Sequence, residues 1–132
     1  MSFRIIQLEE LEVSLNEDGS NISMSFKDAF IKKTMDDAEE KTLWVQSGSI
    51  ELRNAKEKNN FSLKNDKISF ISISYDFYTY KNILILPFLK KGGVLVDLKL
   101  ENINKIINIQ CDEVEILLKG DPKYVKHIKK TE

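Results

Sequence analysis

Histidine, cysteine and tryptophan occur once each in this chain, as His127, Cys111 and Trp44, and arginine only twice, as Arg4 and Arg53. Each scarcity excludes a class of chemistry. A lone cysteine cannot close an intrachain disulfide, which fits a reducing compartment. Structural zinc needs about four Cys or His ligands, and only Cys111 and His127 are available. A cysteine nucleophile would have His127 as its only imidazole base. Cys111 shares the parity of Ile107 and Ile109, so it reads as a small buried hydrophobe. His127 lies in a lysine-rich terminal segment and reads as a solvated surface residue.

Glycine is equally sparse, with five residues. Gly92-Gly93 precedes an alternating strand pattern and not a helix, so no N-terminal amides stand ready to cradle a phosphate. Nothing here implies a cofactor. The longest apolar stretch, Ile83 to Leu89, is interrupted by Pro87. It falls far short of the roughly 20 residues that cross a bilayer. The start, MSFRIIQLEELEV, lacks the apolar core of a secretion signal. These features predict a cytoplasmic protein with no membrane association.

Charge is balanced, with a formal net of −1, and 18 of the 20 basic residues are lysine. Nucleic-acid binding is therefore disfavoured: there is no net field to attract it and little of the planar guanidinium that grips phosphate. Asp36, Asp37, Glu39 and Glu40 cluster in sequence, yet without the glycine and regularly spaced oxygen ligands of a calcium loop. They read as a solvated turn. Asp112, Glu113 and Glu115 sit near a strand start, where neighbouring side chains point to opposite faces and do not all converge on one ion.

What the chain has in quantity is period-two alternation. Leu11, Val13 and Leu15, then a turn-prone Asn16 to Asn21, then Ile22, Met24 and Phe26 predict a β-hairpin. Residues 27 to 41 fit either a short amphipathic helix or a strand to about Met35 that turns and pairs with Thr42 to Gln46. The strand reading is preferred, because Asp36-Asp37 suits a helix interior poorly. Ser47-Gly48-Ser49 marks a turn or bulge, and 54–60 a polar loop. A parity switch at Phe70-Ile71 predicts a bulge, or a strand buried on both faces. Lys81-Asn82 is a tight connection, and Pro87 ends a strand or lies at an edge.

Lys90-Lys91-Gly92-Gly93 reads as a turn. Beyond it, Val94 to Leu100, Ile107 to Cys111 and Val114 to Leu118 read as three strands of an antiparallel meander, the last two separated at Asp112-Glu113. Asp121-Pro122 has the form of a helix start, with Tyr124 and Ile128 four apart and lysines towards the end. A short C-terminal helix is expected.

These elements predict one domain over 1–132. It is all-β or β-dominated, an antiparallel sandwich or partly open barrel of about eight strands with that terminal helix. The positive functional signal is aromatic. Tyr75 and Phe77 share one parity and Tyr78 and Tyr80 the other, so a core-filling first pair leaves Tyr78 and Tyr80 exposed for a protein contact. Trp44 is a further contact candidate. The expected function is non-enzymatic binding of another protein through a surface patch, for example as a bacterial immunity or antitoxin-type inhibitor. The alternative is a carrier of an apolar small ligand in a barrel or between sheets. A hydrolase with dispersed carboxylates ranks below both.

Overall fold

The computed structural model describes residues 3–34, 41–56 and 65–128. Within them every regular element is a strand. They are β1 (Arg4–Gln7), β2 (Glu12–Asp18), β3 (Asn21–Thr34), β4 (Lys41–Arg53), β5 (Asn65–Tyr75), β6 (Tyr78–Lys81), β7 (Ile83–Leu86), β8 (Leu89–Leu100) and β9 (Ile106–Ile128).

The alternation seen in the sequence decides the packing. Val13 and Leu15 of β2 lie opposite Phe26 and Met24 of β3, and all four are buried. Gly19, with φ 63°, turns the hairpin beside the Asp18–Asn21 pair. Residue by residue, β3 pairs with β4, β4 with β9, β9 with β8, β8 with β5 and β5 with β2, all antiparallel. The β2–β3 pairing returns this path to its start, so the sheet is partly ringed. Inward positions, among them Ile22, Ile50, Ile73, Val96, Leu98, Ile109 and Val114, form one buried apolar cluster. Burying such a side chain stabilises by about 1.5–3 kcal/mol, so this cluster is the main source of stability.

The long strands outrun the ring. Residues 27–34 of β3 and 41–47 of β4 continue beyond it with the last third of β9, flanked on the other side by β1 and β7. Five strands in the order β7-β1-β3-β4-β9 thus make an open end. There β9 has only β4 beside it, and β7 only β1, among the described residues.

The strand reading of residues 27–34 holds, with Lys33 opposite Thr42; Asp36, Asp37, Glu39 and Glu40 fall outside the described residues, as does most of the expected 54–60 loop. The parity switch before Ile71 is a bulge between Ile68 and Phe70. β7 ends at Leu86, before Pro87, and lies at the end of the sheet order. The Leu86–Pro87 peptide is cis.

Three expectations are corrected. The C-terminal helix is absent: Asp121-Pro122 lies inside β9, which runs on to Ile128 opposite Lys41. The register slips between Val45 and Ser47, so Gly120, Asp121 and Pro122 occupy a bulge. Proline's missing N–H costs no ladder bond at such a place. Cross-strand pairing with β4 then overrides the weak local helix signal. Lys90 to Gly93 is not a turn but a bulge inside β8, with Gly92 at φ 105° between the Lys91–Glu113 and Val94–Cys111 pairs. Its counterpart, Asp112-Glu113, is not a joint either. It is the point in a continuous β9 where the buried parity changes from Cys111 to Val114.

Candidate binding surface

The aromatic residues singled out in the sequence do not gather in one place. Asp76, at φ 58°, and Phe77 form a two-residue turn, which reverses the chain so that Tyr75 lies opposite Tyr78 and Ile73 opposite Tyr80. Residues paired across strands share a face. Tyr75, Tyr78 and Tyr80 are therefore on the same side, not on opposite sides as an unbroken strand would have them. Tyr78 is 65% exposed and Phe77, at the turn, 95%. Tyr80 packs on the core, its ring edge-on to Phe88 at 5.2 Å. The Lys90 ammonium caps this group, 5.7 Å from the Tyr75 and Phe88 rings and 5.8 Å from Tyr80.

Trp44 lies at the open end, on β4. Its ring meets Tyr124 edge-on, with centroids 5.3 Å apart and planes at 76°. Its indole N–H donates to Thr42 Oγ1 at 2.9 Å. The pair is a direct product of register, since Trp44 and Tyr124 are opposed on β4 and β9. Such aromatic pairs contribute about 0.5–1.5 kcal/mol beyond burial.

The two faces of the open end differ in chemistry. On the outer face, register places Ile85, Ile5, Lys32, Leu43 and Lys126 in one row across five strands. The neighbouring row holds Phe30, Val45 and Lys123. Phe30 is 50% exposed and Ile85 56%, with Ile5, Leu43 and Val45 partly covered. The result is an apolar strip studded with lysines.

The inner face forms a groove of about 450 Å³. Phe3, Trp44, Leu86 and Pro87 supply apolar wall; Arg4, Lys33 and Gln46 supply polarity. Phe3 is held at the rim by Thr34: its N–H donates to Thr34 Oγ1 at 3.1 Å, and the Thr34 N–H donates to its carbonyl at 2.9 Å. Arg4 stands directly opposite Lys33 on the β1–β3 pair, and neither has an ion-pair partner among the described residues. The other arginine is already engaged, with Arg53 bonded to both Glu113 and Glu115. The bond to Glu115 leads the causes that raise its pKa above the ordinary arginine value, against a desolvation that lowers it.

Gln46 is buried in the groove wall. Its Nε2 donates to the Gly120 carbonyl at 2.8 Å, while its Oε1 has no partner among the described residues. The reverse amide orientation would set two carbonyl oxygens against each other.

The groups considered for catalysis stay apart. Cys111 is fully buried opposite Val94, with its thiol towards the Val94 carbonyl at 3.8 Å. Burial pushes its pKa up to about 11, so it is a protonated thiol at neutral pH. His127 is exposed and opposite Thr42. A rise of about 3.3 Å per residue along β9 keeps it tens of ångströms from Cys111. Among the described residues, no three of His, Cys, Asp or Glu gather as a metal would require. Also among them, no helix is long and apolar enough to cross a membrane. No protein-family model, curated protein or solved structure matches the chain.

The sequence reading flagged Trp44 but missed Arg4, Lys33, Gln46 and the Phe30–Ile85 strip. Only the pairing of β3 with β1 and β4, and of β1 with β7, brings these together, and no local pattern encodes it.

Proposed function

We propose that this is a non-enzymatic protein that binds another protein, an inhibitor of the bacterial immunity or antitoxin kind being the concrete form. The observation that carries this is the outer row Ile85–Ile5–Lys32–Leu43–Lys126 with Phe30 and Val45 beside it. Strands set its spacing, so a partner meets a surface formed in advance and little is lost to ordering. Half-exposed aliphatic and aromatic side chains supply buried area on contact. The lysines select for a partner with acidic groups around an apolar centre and speed its approach.

The test is affinity capture with the tagged full chain from its native host, comparing wild type with Phe30→Glu, Ile85→Glu, Trp44→Ala and Tyr78→Ala. A single stoichiometric partner that survives Tyr78→Ala and Trp44→Ala but is lost with both face variants supports the outer strip. A partner lost instead with Tyr78→Ala moves the contact to the β5–β6 hairpin. A monodisperse monomer that retains nothing in any form overturns the reading.

A further inference from the structure

We propose that the inner groove is a small-molecule site for an organic anion: one carboxylate attached to an apolar body. It uses residues separate from the outer strip, so it stands or falls independently of the protein-binding reading.

The argument begins with Arg4 and Lys33. Like charges directly opposite on antiparallel strands destabilise the pair, and here no counter-charge among the described residues offsets them. Both line the same groove. One carboxylate between them would pair with a guanidinium fork and an ammonium together and relieve the repulsion. Of the two arginines, Arg4 is the one whose fork is uncommitted among the described residues, since Arg53 is held by two glutamates.

The remainder of the groove defines the rest of the ligand. Phe3, Trp44, Leu86 and Pro87 present apolar and aromatic surface next to the cations, which suits a hydrocarbon or aromatic body and not a hydrophilic one. The volume of about 450 Å³ lies within the range that holds drug-sized ligands. Gln46 Oε1, which has no partner among the described residues, marks where a hydroxyl or amide donor on a ligand could bond after a small side-chain adjustment.

Trp44 is the sole tryptophan and lines this groove, so its fluorescence reports occupancy without a label. The experiment titrates the full chain with decanoate, and with decanol and decylamine as neutral and cationic matches. A saturable change with decanoate is expected, roughly tenfold tighter than with decanol, because the charge-assisted bonds exist only for the acid. Arg4→Gln and Lys33→Gln should each weaken decanoate by about tenfold and leave decanol unchanged. Phe30→Glu, on the outer face, should alter neither. Unchanged circular dichroism certifies the variants, and Lys33→Gln alone suffices if Arg4→Gln does not fold.

Equal affinity for decanol, decanoate binding that ignores both substitutions, or no saturable response would each overturn the proposal. So would a peptide with an apolar C-terminal residue binding where decanoate does not, which would give the groove to a protein segment.

Discussion

Gly48 shows how narrowly a single residue can be prescribed. It lies in β4 where register slips against both neighbours, and a Cβ there would collide with the Leu117 carbonyl oxygen of β9. Gly48→Ala should therefore cost about 1–3 kcal/mol or more, the usual penalty for overpacking, read as a lower denaturation midpoint at an unchanged slope. Cys111 makes a second residue-level test. Its folded pKa, about 11, lies above the ordinary value of 9.0. The neutral thiol is thus favoured in the fold, and the unfolded chain loses its proton first. That stabilisation is complete below pH 9 and declines as pH rises towards 11, by on the order of 2 kcal/mol. Relative to Cys111→Ala, wild type should lose stability between about pH 9 and about 11. A constant difference between them would contradict the burial argument.

At the scale of elements, the strands that face one core and one solvent side were legible, and those that change environment were not. Leu11 to Phe26 reads correctly because its alternation is unbroken and Gly19 supplies the turn. Asp112-Glu113 and Gly92-Gly93 resemble loop punctuation, yet they are two sides of one irregularity within paired strands. Sequence shows that parity changes there; only the partner strand decides whether the chain turns or bulges. Asp121-Pro122 fails likewise, since Tyr124 is claimed by Trp44 across the sheet before a helix can use it. Tyr78 is exposed as its pattern predicts, but the expected split of Tyr75 from Tyr78 and Tyr80 onto opposite faces does not hold, because Asp76-Phe77 is a turn and not strand.

The outer length of β9 is an edge that natural sheets must guard. Among the described residues, 117–128 pair with β4 alone. Pro122, the bulge around it, and the exposed Lys119, Lys123 and Lys126 obstruct another strand from adding there. Replacing Pro122, Lys123 and Lys126 together with threonine should give concentration-dependent association by light scattering. Comparable thermal stability in dilute solution would separate this from unfolding.

For the whole molecule, the relevant contrast is between ring and open end. Inward residues of β5, β8 and the first half of β9 are wholly buried, whereas residues 119 to 127 are exposed. Native-state hydrogen exchange should report the highest protection at Val94–Leu100 and Ile107–Cys111, and much lower protection at Lys123–His127, since shallowly covered backbone opens with little free energy. Uniform protection along β9 would show that the open end is as stable as the ring. Among the described residues, Arg4, Lys32, Lys33, Lys119, Lys123 and Lys126 lie on the strands of the open end, together with Asp28 and Asp121.

Strand β9 belongs to both halves of the molecule, from Ile107 in the core to Ile128 beside β4. Stabilising the tip around Trp44 and Tyr124 therefore acts on the same strand that carries Ile109 and Cys111. If the groove binds the proposed anion, occupancy should slow global unfolding of the interior as well as opening of the tip, read as a longer unfolding half-life.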